Sequence, residues 1–261
     1  MIETLERAVR ECGDLLLKIR EKGLRTEDKN EQLGAHFSTQ GDTLSQARGI
    51  EILREKFPDE IVIAEEFEFN DPRIPPDCTV FDPADGTTIY YNGCREFGVT
   101  MCSLRRGQPD AGVMYFPVDR MMISAVRGRG CFINGSKFTI RWDRPLDKTL
   151  VGTDVGPWTA HEVLQPLSKH FCVRSIMAAI YGARAVLLGE TGMYYNLNIA
   201  KIWDAAAGAL AVEEAGGVVC APDGSPLRWN TISADWILAV NQPLADALLV
   251  YTRVWHGRTV R

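Results

Sequence analysis

The residues best suited to chemistry are Asp82-Pro83-Ala84-Asp85-Gly86-Thr87-Thr88, directly after the apolar run Val80-Phe81. Asp82 and Asp85 offer hard oxygen acceptors. Pro83 pushes Asp82 out of the α region, and Gly86 permits a tight turn or a close approach to a ligand. Thr87 or Thr88 suits a helix cap, and the first N–H groups of that helix would face the same pocket. Carboxylates beside free backbone donors suit a divalent cation bridged to a phosphate. The same residues also make an ordinary acidic turn with an N-cap, so the stretch alone leaves both open.

Further acidic residues stand at element ends. Glu65, with Glu66, follows the apolar run Ile61-Val62-Ile63-Ala64. Asp42 opens a helix in Ser38-Thr39-Gln40-Gly41-Asp42, and Asp204 opens another in Trp203-Asp204-Ala205-Ala206-Ala207-Gly208. Singly, each has a plain structural explanation: a solvated strand end, a cap, an acid in a first helical turn. Together they form an all-carboxylate set, which fits magnesium rather than zinc. Two such ions about 3.5–4 Å apart cancel phosphate charge, lower the pKa of a water and stabilise a leaving alkoxide. No histidine or cysteine belongs to the set. His161, His170 and His256 have no partner pattern and read as surface or satisfied core residues.

The elements that must position these residues follow from periodicity. Apolar residues at helical spacing predict an amphipathic helix over 2–22, ended by Gly23. Residues 24–36 are polar and aperiodic and read as an exposed loop. A second helix runs from about Thr39 to Phe57, before Pro58, and short strands cover 61–64 and 78–82. Segments 97–104, 111–116, 121–126 and 131–140 alternate with turn signals, Asn134-Gly135 being the strongest, and read as an antiparallel meander. After about residue 145, strands 149–153, 171–174, 192–195, 218–220 and 237–240 alternate with helices 159–169, 178–188, 203–215 and 243–254. The change of pattern divides residues 1–145, with N-terminal helices, the antiparallel sheet and most metal ligands, from 146–261, an α/β subdomain with Asp204. No flexible linker separates the halves, so they are expected to pack tightly.

The bulk numbers narrow the classes. The chain has 261 residues, 46% apolar and 24% charged, which makes a globular protein with ample core. A net charge of −5 without a basic block argues against a nucleic-acid polymer as partner, and an anionic substrate would need cations to offset the field. Seven cysteines, with no Cys-x-x-Cys pair, read as reduced thiols of a cytoplasmic protein. Glu3 and Glu6 leave no apolar signal core at the N-terminus, and no apolar run is long enough to span a membrane.

With these residues in place, the sequence resembles the inositol monophosphatase family of magnesium-dependent, lithium-sensitive phosphatases. The matching motifs are Thr39-x-x-Asp42, Ala-Glu-Glu (64–66), Asp-Pro-x-Asp-Gly-Thr-Thr (82–88), Ala111-Gly112-Val113-Met114-Tyr115-Phe116-Pro117, Gly128-x-Gly130-x-Phe132-x-Asn134-Gly135, and Trp-Asp-x-Ala-Ala-Gly (203–208) followed by Glu-Ala-Gly-Gly (214–217). They run in the family's order and spacing from about residue 5 to 250. The resemblance implies an α/β (α+β) fold, a layered α-β-α-β-α sandwich of the sugar-phosphatase type, with the metal site between the halves. It implies that Glu65, Asp82 and the Ala84 carbonyl hold one magnesium, that Asp82, Asp85 and Asp204 hold a second, and that a third, weaker ion involves Glu65. Asp42 and Thr87 would hydrogen-bond the attacking water, Glu65 would complete the catalytic set, and the Gly86 and Thr87 amides would cradle the phosphate. A homodimer is the family's common assembly. The activity implied is hydrolysis of a small phosphorylated metabolite by direct in-line attack of water, without a phosphoenzyme.

The sequence departs from the family where the leaving group would sit. Ile89 stands where Asn is usual, Tyr90 where Phe is usual, and Met177 replaces a Gly. His36 stands where an Asp is common. Leu197 lies seven residues before Asp204, where inositol-cleaving members carry an acid that binds ring hydroxyls. Ile89, Met177, Ala178, Asn196, Leu197 and Asn198 are the residues expected to face the leaving group, with Asn196 and Asn198 replacing the lost acceptor. Tyr90, Tyr91, Trp158, Tyr194 and Tyr195 either stack on a ring there or pack the core. A site without its acceptor discriminates against the substrate built for it, so myo-inositol monophosphate is not expected to be the best substrate. A nucleotide phosphatase, a sugar-bisphosphatase and a histidinol-phosphate phosphatase are the alternatives within the enzyme class. A non-catalytic binding module on the same scaffold is the alternative outside it.

Overall fold

The computed structural model of the chain describes residues 1–28, 37–68 and 71–255. Helix α1 (Ile2–Glu21) buries Leu5, Ala8, Val9, Cys12, Leu16 and Ile19, the stripe its sequence predicts. Gly23 takes a left-handed φ of 94° just beyond it. Strand β1 (Thr26–Asp28) then pairs antiparallel with β2 (Phe37–Thr39), so the polar segment expected as a loop over 24–36 begins as a strand. Backbone pairing makes that strand, and an aperiodic polar stretch gives no sign of it. His36 and His256 lie outside the described residues. Helix α2 (Gln40–Lys56) starts at Thr39, whose side chain accepts from the Gly41 N–H.

The next elements build the first sheet. They are β3 (Val62–Ala64), β4 (Cys78–Asp85), the short helix α3 (Thr87–Tyr91), β5 (Gly98–Arg105), β6 (Gln108–Phe116), β7 (Met121–Val126), β8 (Gly130–Ile133) and β9 (Ser136–Phe138). The seven strands pair in chain order, β3 parallel to β4 and the rest an antiparallel meander. Asn134 and Gly135, at φ of 48° and 79°, make the tight turn that divides 131–140 into β8 and β9.

The second sheet comes from the α/β part: β10 (Leu150–Thr153), α4 (His161–Leu167), β11 (Cys172–Ser175), α5 (Ala179–Leu187), β12 (Met193–Asn196), α6 (Ile202–Glu214), β13 (Val218–Cys220), β14 (Trp236–Ala239) and α7 (Gln242–Thr252). Its order is β11-β10-β12-β14-β13. The first three strands are parallel, and β14 runs against both neighbours.

Helices alternate with the sheets. α1 and α2 pack on one face of the first sheet, α5 and α6 lie between the sheets, and α4 and α7 pack together on the outer side of the second. The layers are therefore α-β-α-β-α, as the resemblance implies. Strand β4 is buried along its whole length, because helices cover both faces of its sheet. Helix α6 is buried from Ala205 to Val212, and its small residues let it sit against both sheets. A Cβ at Gly112 of β6 would lie 2.9 Å from the Ala207 Cα. Gly112→Ala is therefore expected to destabilise the protein by roughly 1–3 kcal/mol through overpacking. Thermal unfolding checks it, and an unchanged midpoint would mean that sheet and helix can separate freely.

Candidate active site

Asp82 and Asp85 sit three residues apart in β4, and a regular strand would point them to opposite faces. The register prevents that. Asp82 pairs with Thr100 and Asp85 with Gly98, so β4 carries one residue more than β5 between these pairs. This β-bulge at Pro83-Ala84 turns Asp85 to the same side as Asp82. The expected strand end at Asp82 is thus corrected: the strand continues through the bulge to Asp85. Ser45 of α2 holds the bulge by donating to the Pro83 carbonyl at 2.7 Å. Gly86, at φ 84°, then turns the chain sharply into α3.

Three helix N-termini supply or hold the other carboxylates. Asp42 is the third residue of α2. Its Oδ2 accepts from the Thr39 N–H at 2.8 Å and from the Thr39 hydroxyl at 2.6 Å, and its Oδ1 accepts from the Thr87 hydroxyl at 2.9 Å. Asp204 is the third residue of α6, and its Oδ2 accepts from the Lys201 N–H at 2.7 Å. Asp85 is held by α5: its two oxygens accept from the Ala179 and Ile180 N–H groups at 3.1 and 2.8 Å. The positive ends of α2, α5 and α6 thereby offset part of the cost of burying like charges. Glu65 follows β3, its N–H bonded to the Phe81 carbonyl, which sets it level with Asp82.

One carboxylate oxygen each of Asp82, Asp85 and Asp204 lies within 4.8 Å of the others. Burial, then the charges of Glu65, Asp85 and Asp204, hold the Asp82 carboxyl far above its usual range. Burial raises Asp85 to about 7 against the opposing amides of Ile180 and Ala179. Burial, then Asp85 and Glu65, raise Asp204 well above normal. Burial also raises Asp42, and the Glu65 charge adds to it. Among the described residues none of the salt bridges involves Asp82, Asp85 or Asp204. The Lys201 charge favours the charged form of Asp204; buried carboxylates without a salt bridge are costly, and an all-oxygen donor set of this kind fits a hard divalent cation.

The other expected residues are placed as follows. The Thr87 hydroxyl also lies 3.2 Å from the Ala84 carbonyl oxygen. The Gly86 amide is turned towards the Asp85 carboxylate, where the resemblance implies a phosphate contact. Ile89 and Met177 are half-buried, and Ala178 lies against Gly86. Leu197 is buried in the apolar core, and Asn196, at the end of β12, carries a buried Oδ1 with no hydrogen-bond partner among the described residues. Asn198 takes a left-handed φ of 81° and its side-chain amide donates to the Trp158 carbonyl, tying the loop after β12 to the loop before α4. Tyr90 belongs to the core: its hydroxyl donates to the Leu16 carbonyl at 2.7 Å and its ring packs on Phe97. Tyr91 is exposed, whereas Trp158, Tyr194 and Tyr195 are buried.

Asp154 is the residue that sequence reasoning missed. It stands just beyond β10, and burial followed by the Asp85 charge raises it to about 8. An acid at a strand end was the signal that exposed Glu65, and Thr153-Asp154 carries it too, but without an acidic neighbour to draw notice.

The mixed α/β layers are those of solved inositol monophosphatases. The sequence profile of the inositol monophosphatase family matches residues 1–257. The Nus factor SuhB of Pasteurella multocida is 30% identical over 232 residues, 84% of each chain. Human inositol monophosphatase 1 is 30% identical over 211 residues, 76% of this chain and 75% of the human one. A solved IMPase/NADP phosphatase complexed with Mg2+ and phosphate superposes with a TM-score of 0.82 at 21% identity, over 96% of this chain and 94% of the other. The chain belongs to the inositol monophosphatase family, whose members hydrolyse phosphate monoesters. No helix among the described residues is long and apolar enough to cross a membrane.

Proposed function

We propose that the chain is a magnesium-dependent phosphatase of a small phosphorylated metabolite, with water as direct nucleophile. The observation that supports it most is the trio Asp82, Asp85 and Asp204, with ligand oxygens within 4.8 Å and, among the described residues, no salt bridge to any of them. Glu65, Asp82 and the Ala84 carbonyl would hold one magnesium, Asp82, Asp85 and Asp204 a second, and Glu65 with water a third. Bound there, the ions offset the phosphate charge and make water acidic enough to attack. Thr87 orients that water: its hydroxyl donates to Asp42 and keeps lone pairs to accept the proton the water gives up. Asp42 is the acceptor behind it. The Thr87 amide, at the start of α3, takes a phosphate oxygen, and Gly86 contributes by its turn rather than its N–H. The assembly is proposed to be a cytoplasmic homodimer, on the family's pattern.

The leaving group is proposed to differ from myo-inositol. Leu197 packs in the core, so the amide of Asn196 stands at the end of β12 in place of an acid. Faster turnover of inositol monophosphate than of a nucleotide monophosphate or fructose bisphosphate would refute this.

The decisive test of the phosphatase is magnesium-dependent release of phosphate from para-nitrophenyl phosphate, with Asp85→Asn as control. Folded protein without that activity would return the binding module as the better account. Thr87→Ala removes the link to Asp42 and is expected to lower kcat about 100-fold or more, the scale of a lost proton-transfer group. Thr87→Ser, which keeps the hydroxyl, should recover most of it. Equal loss in both variants would show that the methyl group, and hence packing, is what matters.

A further inference from the structure

The second sheet brings to the carboxylate cluster a polar group for which the hydrolytic chemistry has no role. The chain leaves β10 and returns through α4 to β11 on one side, then through α5 to β12 on the other. Where connections of a parallel sheet diverge in this way, the carboxyl ends of the strands form a ligand-binding crevice. Asp154 is the first residue beyond β10, at that point. Its Oδ1 is fully buried and has no hydrogen-bond partner among the described residues. Among the described residues no lysine or arginine pairs with it.

The neighbouring strand extends the feature. Tyr194 and Asn196 of β12 project from the same face, since side chains alternate along a strand. That face looks onto α5, because a Cβ at Gly182 of α5 would lie 2.3 Å from the Tyr194 ring. The first amides of the same helix hold Asp85. Tyr194 and Asn196 are 0% and 2% exposed; the Asn196 amide lies beside the Tyr194 hydroxyl, and the Asn196 Oδ1 has no hydrogen-bond partner among the described residues. The hydroxyl feels the charges of Asp154, Asp85 and Asp204, so it lies among all three acids. Buried acceptors without donors are costly, and here they border the carboxylate cluster.

We infer that Asp154 is a specificity-determining residue of this active site, accepting a hydrogen bond from a hydroxyl or ammonium donor on the leaving group, with Asn196 beside it as a second acceptor. The inference rests on the phosphatase function proposed above. Asp154 is not a metal ligand in this account. It acts on the alcohol, and it favours leaving groups that carry a donor near the ester oxygen over those that carry none.

The test compares wild type with Asp154→Ala and Asp154→Asn on three esters. Glycerol 2-phosphate carries hydroxyl donors, phosphoethanolamine carries an ammonium donor, and para-nitrophenyl phosphate carries neither. In Asp154→Ala the ratio of kcat/KM for the donor-bearing ester to that for para-nitrophenyl phosphate should fall roughly 10- to 100-fold, the scale of a buried polar group left without its partner. A fall with glycerol 2-phosphate alone identifies a hydroxyl donor, and a fall with phosphoethanolamine alone an ammonium. Asp154→Asn keeps an acceptor oxygen, so it should restore part of the hydroxyl ratio but none of the ammonium ratio. This variant carries the test if Asp154→Ala does not fold. Magnesium binding, followed by calorimetry, should keep its midpoint in both variants. Ratios that stay within threefold, a magnesium midpoint moved tenfold, or a wild type that cleaves only para-nitrophenyl phosphate would each overturn the inference while leaving the phosphatase intact. No magnesium-dependent cleavage of any ester would instead remove the phosphatase function on which it stands.

Discussion

Asp82→Asn is expected to cut kcat/KM on para-nitrophenyl phosphate by roughly 1,000-fold or more, and to raise the melting temperature of the metal-free protein. The first effect follows from the position of Asp82, the residue proposed to serve both principal ions. Losing its charge weakens both, and the charge stabilisation such ions provide amounts to several kcal/mol. The second effect follows from the same burial. Asp82 is 2% exposed, and the charges of Glu65, Asp85 and Asp204 all oppose its ionisation. One oxygen accepts from the Ala84 N–H at 2.9 Å, a contact an amide oxygen can keep. The new NH2 group gives the surrounding carboxylates a donor. A strained site thus becomes a satisfied one, at the cost of function. Kinetics and thermal unfolding with and without magnesium check both effects. Activity within tenfold of wild type would remove Asp82 from the proposed metal site, whatever the melting temperature does.

The second large effect is on stability against pH. Metal-free protein should lose stability as pH rises from about 4 to about 7. Asp85 has a folded pKa of about 7 against an ordinary 3.8, and Asp82 and Asp204 move in the same direction. Between the two values the folded protein keeps protons that the unfolded chain has released, so stability falls with rising pH. The loss from Asp85 begins above its unfolded pKa and is complete once pH passes about 7. Asp42 adds to the same slope. The carboxylates lowered by exposed arginine partners, Glu11, Glu55 and Asp71, act in the opposite direction. Their contribution is confined to pH near and below the ordinary carboxylate range, and exposed pairs are worth little. Magnesium competes with these protons, so its stabilising effect should be small near pH 4.5 and grow across the window. A gain of about 5–10 °C at pH 7.5 would correspond to a few kcal/mol in a chain of this size. Melting curves at several pH values, with and without magnesium, read it directly. A magnesium increment that does not change with pH would mean that the buried acids are not where the ion binds.

Much of this protein is legible in its residues. Helical spacing fixes the buried stripe of α1, and Asn134-Gly135 marks the β8–β9 turn, because both signals are local. The acids at 42, 65, 82, 85 and 204 stand out for a similar reason: carboxylates at the ends of apolar runs conflict with burial unless something compensates them. The parts that were not legible depend on contacts between distant segments. Strand β1 exists through pairing with β2, Tyr90 is a core residue through a hydrogen bond to Leu16, and Asp154 meets the site only because β10 ends beside β12 and α5.

The sequence by itself determined which side chains are the candidates for the chemistry, their class as hard oxygen donors, and most of the order of helices and strands that hold them, since all of these rest on residue type and short-range period. Only the tertiary structure decided how the acids converge. Spacing alone would set Asp82 and Asp85 on opposite faces of β4, and an extra residue in the ladder with β5, pinned by Ser45, turns them to one side. The start of α5 then clamps Asp85, and the start of α6 brings Asp204 across from the other half of the chain. Register and helix docking are set by packing over the whole core, and no short stretch of sequence encodes them.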